Sequence, residues 1–122
     1  MTLLDRIKED RVIARSKFNI DKNKINSIII NKCLEHNFWE DKNVSLIIIK
    51  FLLEIESYKV KLEEQKCDQY LLEEVENDLK LIFGYFPEVI SEDLENYLCL
   101  QLSIDANELE AILKRFKNDI QK

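Results

Sequence analysis

The chain has 122 residues, of which 46 % are hydrophobic and 34 % are charged, and its formal net charge is −6. It contains one glycine and one proline, far below the ordinary usage of about 7 % and 5 %. Tight hairpins and phosphate-binding loops need glycine, so this composition argues against an all-β fold and against a nucleotide-binding loop. We therefore predict an all-α fold.

The first predicted helix runs from about Thr2 to Phe18. Thr2 and Asp5 form a capping pattern at its start. Arg11 falls in the middle of the apolar stripe, where its side chain extends to water, pairs with a buried carboxylate or faces a partner. The stripe itself has helical spacing and consists of Leu3, Leu4, Ile7, Ala14 and Phe18.

Asp21 is the predicted N-cap of a second helix, which ends before a polar turn bracketed by Asn37 and Asn43. We expect Phe38 and Trp39 to fold back from this turn as part of the core or as a lid. The inner face of the helix is predicted to consist of Ile25, Ile28, Ile29 and Cys33.

The next segment, VSLIIIKFLLEIESYKVKLEEQK, is ambiguous because LIII alone is typical of a strand. Its continuation keeps near-helical spacing and contains no turn residue, so we predict one long helix that is buried on several sides at its start. The positions with this spacing are Leu46, Ile49, Leu53, Tyr58 and Leu62.

A fourth helix is predicted to begin after its N-cap, Asp68. Gly84 is expected to end it in a left-handed conformation, Pro87 cannot continue a helix, and Ser91 begins the next one. We predict a hinge here, comprising Gly84, Tyr85, Phe86 and Pro87. Val89 and Ile90 are expected to pin the same joint.

Two helices are predicted after the hinge, over about 91–102 and 105–121, and Asp105 opens a capping box at the start of the second. We predict a helical bundle over residues 1–84, followed by the hinge and a small tail over 85–122. The alternative is one compact domain.

The N-terminus lacks the apolar run of a signal peptide. The longest apolar stretch is interrupted by Lys50 and is too short to span a bilayer. An odd number of widely spaced cysteines indicates reduced thiols. We therefore predict a cytoplasmic protein without a membrane partner, in which Cys33, Cys67 and Cys99 are free.

The sequence gives little support for a metal site or a catalytic site. Cys33 and His36 lie three residues apart, but His36 is the one histidine in the chain, and structural zinc needs four ligands. No glycine-rich oxyanion loop is present. We predict no catalytic, metal-binding or cofactor-binding residue, and no cofactor.

The charges are unevenly distributed. Residues 1–33 carry eight Lys or Arg and four Asp or Glu, whereas residues 34–122 carry ten and twenty. This asymmetry indicates an end that faces nucleic acid, an acidic surface that faces protein, or two solvated helix faces. The candidate phosphate-binding residues are Lys8, Arg11, Arg15, Lys22 and Lys24. The candidate partner-binding residues are Arg11, Arg15, Glu73, Glu74, Glu76 and Asp78.

The segment NDLKLIFGYFPEVISEDL, residues 77–94, resembles the central signature of the GatB/YqeY family. LLDRIKED and DKNKINSIIINKCLEHN resemble its opening and its second helix, so the resemblance covers roughly residues 2–100. The signature positions that match are Tyr85, Pro87, Ser91, Glu92 and Leu94.

This resemblance implies an N-terminal bundle of about four helices, a proline hinge and a smaller helical tail, with no catalytic residue. In the related amidotransferase subunit, such a tail contacts tRNA. This chain is a short, acidic and divergent version, which suggests an origin in a virus or mobile element, or adaptation to a protein partner. Our first hypothesis is a non-catalytic protein-binding module, an adaptor or inhibitor that docks a partner or a second copy. The alternative is a module associated with tRNA or other RNA.

Overall fold

A computed structural model describes residues 1–66 and 68–120, and 81 % of this part of the chain is helical. The prediction of an all-α fold is confirmed. Cys67 and the predicted helix end at Gln121 lie outside the described residues. The helices are α1 (Leu3–Ser16), α2 (Ile20–His36), α3 (Asp41–Glu64), α4 (Gln69–Phe83), α5 (Glu92–Leu102) and α6 (Ala106–Ile120).

The chain divides into two compact units, Met1–Phe86 and a second one that begins at Pro87. In the first unit, α1 packs against α2 and α3 packs against α4, while α2 also contacts α3 and α4. The β-branched run at the start of α3 forms the centre of this unit, because it is buried on nearly every side. Its buried residues are Val44, Ser45, Leu46, Ile47, Ile48, Ile49, Phe51 and Leu52.

Four predicted helix starts are confirmed, and before α6 it is Asp105 Oδ1 that accepts from the Glu108 amide, at 2.8 Å. The Thr2 hydroxyl accepts from the Asp5 amide at 3.1 Å, and the Asp5 carboxylate accepts from the Thr2 amide at 3.4 Å, which completes a capping box. Asp68 accepts from the Tyr70 amide at 2.9 Å at the start of α4. The Ser91 hydroxyl begins α5 in the same way. Such caps satisfy amides that have no partner inside the helix.

The prediction that Phe18 extends the inner stripe of α1 is wrong. The helix ends at Ser16, and Phe18 lies in the following turn with its side chain 88 % exposed. Asp21 is not the N-cap of α2, because the Asn19 side chain accepts the Lys22 amide at 3.2 Å. The N-cap of the second helix therefore lies two residues before Asp21, the predicted one.

Gly84 ends α4 as predicted, but the left-handed conformation that we predicted for this cap is wrong. Its φ is −59°, and its amide donates to the Lys80 carbonyl at 3.1 Å, so the backbone continues the helical turn. The left-handed caps are Asn37 after α2 and Ser103 after α5. Val89, which we expected to pin the hinge, is exposed, and the exposure of Trp39 contradicts its placement in the core.

The second unit is built on α5 and α6, which pack against each other. The chain reverses between them at Ser103, where the Ile104 amide donates to the Cys99 carbonyl at 3.0 Å. Leu98, Leu109 and Phe116 are its buried residues. Across both units, none of the described helices combines the length and the apolar character that a membrane span requires.

Candidate partner-binding surface

Four large apolar side chains are exposed around the turn between α1 and α2, and we call them the apolar corner. Val12 and Ile13 in α1 are 65 % and 49 % exposed, whereas Phe18 in the turn and Ile20 in α2 reach 88 % and 78 %. Single exposed apolar residues are normal on a protein surface. Here four of them lie within nine residues of chain, and exposed apolar residues that gather in one patch are typical of an interaction site.

The backbone of the apolar corner is held by a dense set of hydrogen bonds. The Asn19 amide donates to the Ala14 carbonyl at 2.8 Å, and the Phe18 amide donates to the Arg15 carbonyl at 3.3 Å. The Ser16 hydroxyl donates to the Ile13 carbonyl at 2.8 Å. A fixed turn of this kind presents its side chains without a large loss of conformational entropy on binding.

Phe18 occupies an unfavourable backbone conformation. Its φ is 55°, in the left-handed region, which costs a non-glycine residue roughly 1–2 kcal/mol. The exposed side chain recovers none of this cost through burial. Glycine or asparagine would satisfy the turn better, so folding alone does not account for phenylalanine at this position.

The charge around the apolar corner is positive. Residues 11–20 contain Arg11, Arg15 and Lys17 and no carboxylate. The Arg15 Nε donates to Asn23 Oδ1 at 3.0 Å, which fixes the guanidinium beside the turn while the residue stays exposed. The segment from Arg11 to Ile20 is therefore both apolar and basic, and the exposed Asp21 is the first carboxylate after it.

The structure distributes the other candidate phosphate-binding residues over different contacts. The Lys8 ammonium lies 5.3 Å from the centre of the Trp39 ring. Lys22 pairs with Asp10 at 3.8 Å, and Arg11 is half-buried, with its Nε unpartnered in the described part of the chain. Lys24 pairs with acidic residues of α4.

Three of the four candidate acidic residues are engaged by lysines of the same chain. Lys24 lies 3.5 Å from Asp78 and 4.0 Å from Glu74, and Lys59 lies 3.5 Å from Glu76. These internal ion pairs reduce the negative field that α4 offers to a partner. Glu73 is exposed, and no ion pair within 4 Å involves it among the described residues.

Asp78 is buried between α2 and α4, and its Oδ1 has no hydrogen-bond partner in the described residues. Burial raises the pKa of this carboxyl above its ordinary value of 3.8, although Lys24 opposes the shift. The folded chain therefore binds this proton more tightly than the unfolded chain. The resulting contribution to stability is complete below about pH 3.8 and is lost as the pH rises through the folded pKa.

We expect the variant Asp78→Asn to gain stability relative to the native chain as the pH rises from 4 to 7, because the amide carries no buried charge. Urea unfolding at both pH values measures this difference, with Glu73→Gln as the control for an exposed carboxylate on the same helix. A difference between native chain and Asp78→Asn that stays constant with pH would contradict the assignment.

The predicted hinge residues Tyr85 and Phe86 lie buried within the first unit. The Tyr85 hydroxyl donates to Asp10 Oδ2 at 2.6 Å and also contacts the fully buried Asn26 side chain at 3.1 Å. A phenol has one proton, so the amide of Asn26 must be the donor in the second contact. In that orientation Asn26 also donates to the Lys22 carbonyl and accepts from an N–H of Arg11.

This buried network joins α1, α2 and the end of α4. Sequence reasoning missed it, because Asp10 and Tyr85 are 75 positions apart and no local pattern links them. Arg6, also missed, donates to the Gly84 carbonyl at 3.3 Å and lies 5.2 Å from the centre of the Tyr85 ring. A cation at this place suits the negative end of a helix.

Residues 1–66 and 68–120 contain no group of three or more His, Cys, Asp or Glu side chains that could hold a metal ion. Comparison of the chain with models of protein families, with curated proteins and with solved structures gives no match.

Proposed function

We propose that this protein is a non-catalytic protein-binding module, an adaptor or inhibitor, and that the apolar corner is its docking surface. The main support for this proposal is the conformation and exposure of Phe18. This residue combines a left-handed backbone with an aromatic side chain that is 88 % exposed. Rigid aromatic anchors on fixed backbones are typical hot spots of protein interfaces. The partner is an acidic and apolar segment of another protein, because Arg15 and Lys17 lie between the apolar residues of the corner and no carboxylate occurs from Arg11 to Ile20.

RNA binding is the second proposal, and its support is the basic character of residues 1–33. The contacts favour a protein partner instead. Lys24 is paired with Asp78 and Glu74 of the same chain, so it is less available for phosphates, while the exposed aliphatic side chains at the corner have no role in phosphate recognition.

We also propose that the protein is cytoplasmic and has a divergent YqeY-like scaffold. In this scaffold a hinge from Gly84 to Pro87 joins a bundle of four helices to a two-helix tail. The resemblance of residues 77–94 supports this architecture. The contact of Phe86 with Phe83, whose rings are stacked with centres 6.2 Å apart, would anchor one side of that hinge.

The test uses two defined probes, an amphipathic helical peptide of Leu and Glu and a matched peptide of Leu and Lys. We expect the native chain to bind the acidic peptide, and Phe18→Asp to weaken this binding roughly 10- to 100-fold through loss of apolar burial. Aspartate tolerates the left-handed region, so we expect the variant to be at least as stable as the native chain. Titration calorimetry and thermal unfolding measure both effects.

Tyr70→Asp is the matched control, because Tyr70 is also an exposed aromatic residue of the first unit. Equal binding by the native chain and Phe18→Asp, or preference for the basic peptide, would exclude the proposed surface. Retention of tRNA that is lost in Phe18→Asp would favour the RNA proposal. Concentration-dependent dimerisation that is lost in the same variant would identify a second copy as the occupant.

A further inference from the structure

A cleft of about 440 Å³ opens in the first unit beside the C-terminal end of α4. This volume falls within the range of about 300–1,000 Å³ that is usual for small-molecule sites. Its polar and aromatic lining comes from three helices and the turn after α4, and comprises Arg6, Asp10, Lys22, Asn77, Lys80 and Tyr85. The apolar corner contributes no residue to it.

The cleft is electropositive. Its lining has three cationic side chains and one carboxylate, Asp10. The Tyr85 hydroxyl donates to that carboxylate at 2.6 Å, which partly satisfies it. Burial and Asp10 together raise the pKa of Tyr85 well above its ordinary value, so the phenol adds no negative charge at neutral pH.

The cations differ in how firmly they are held. Arg6 is fixed by the Gly84 carbonyl and by the Tyr85 ring, and Lys22 lies 3.8 Å from Asp10. Lys80 is exposed, and within residues 1–66 and 68–120 no carboxylate lies within 4 Å of its ammonium group. A dianionic group bound in the cleft would balance the three cations together with Asp10.

We propose that this cleft binds a small phosphate-bearing ligand. Lys22 and Lys80 contact the phosphate oxygens, and the pre-positioned fork of Arg6 offers a bidentate contact. Asn77 donates from its amide, while Leu81 and the Tyr85 ring provide apolar surface for the rest of the ligand. This site is independent of the proposed protein contact, which lies at the apolar corner.

The experiment exploits the single glycine of the sequence, Gly84, which lines the cleft. Labelling the full chain with ¹⁵N-glycine gives one amide signal, whose shift is followed during titration with inorganic phosphate, ribose 5-phosphate and ribose. We expect a saturable shift with both phosphate compounds and none with ribose. Tighter binding of the ester than of free phosphate would identify the sugar side of the site as a further contact.

Lys80→Glu is expected to weaken phosphate binding by about tenfold or more, through loss of a charge-assisted hydrogen bond. Lys50→Glu makes the same change in charge at an exposed position of α3 and should leave the affinity unchanged. Absence of a saturable shift with either phosphate compound, or equal weakening by both variants, would overturn the proposal. Binding of a single-stranded oligonucleotide that both variants weaken equally would likewise show general attraction without a site.

Discussion

Ile48→Ala is expected to lower the free energy of unfolding by about 2–5 kcal/mol, the largest effect we predict for a single substitution. Ile48 lies at the centre of the buried start of α3 and is fully inaccessible to solvent. Removing three carbons there loses their transfer free energy and leaves a cavity, because helices packed on several sides cannot collapse into it. Urea unfolding followed by circular dichroism measures the loss.

Two further variants serve as comparisons for the stability loss expected of Ile48→Ala. Ile48→Val should cost only about 0.5–1.5 kcal/mol, since a single methylene is removed. Lys50→Ala, two residues along the same helix but exposed, should change stability by about 0.5 kcal/mol or less. Costs of similar size for Ile48→Ala and Lys50→Ala would mean that the start of α3 is not the packed centre of the unit.

Tyr85→Phe is expected to cost about 1.5–3 kcal/mol, because it removes a hydrogen bond to a carboxylate and strips a partner from a buried amide. Asp10 is partly accessible and can recover water through the cleft, but Asn26 is fully buried. Most of the cost should therefore arise at Asn26. Tyr70→Phe, at an exposed position, serves as the control and should be nearly neutral.

The stability difference between the native chain and Tyr85→Phe is also expected to change in alkaline solution. The pKa of Tyr85 is raised above its ordinary value of 10.0, first by burial and then by the bond to Asp10. The stability that this group contributes is complete below about pH 10 and is lost as the pH rises further. The difference between native chain and Tyr85→Phe should therefore shrink above pH 10. A difference that is equal at pH 8 and pH 10.5 would contradict the network.

The parts of the fold that could be predicted from sequence are those decided by nearby residues. Thr2, Asp68 and Ser91 each bond to an amide two or three positions on, so a short window contains the whole interaction. The helical spacing of apolar residues in α3 also predicts its conformation correctly. The strand preference of its β-branched residues does not decide the outcome, because that preference depends on the packing around them.

The wrong predictions are those that rest on residue type alone. Gly84 permits a left-handed cap but does not require one, and here the chain continues its turn so that Tyr85 reaches Asp10. Phe18 fits the helical spacing of α1, yet the helix ends before it. The cleft lay beyond prediction for another reason: Arg6, Lys22 and Lys80 meet only through the packing of α1, α2 and α4.

The burial of Cys33 in α2 has a consequence for the redox chemistry of the chain. Burial raises the pKa of its thiol to about 11, and the thiolate is the form that oxidants and alkylating reagents attack. At neutral pH this sulfur is both protonated and sealed from solvent, so it can react only in molecules whose first unit has opened. The extent of covalent modification at Cys33 would thus report how often the first unit opens, and with a slow reagent it would follow the fraction of molecules that are open.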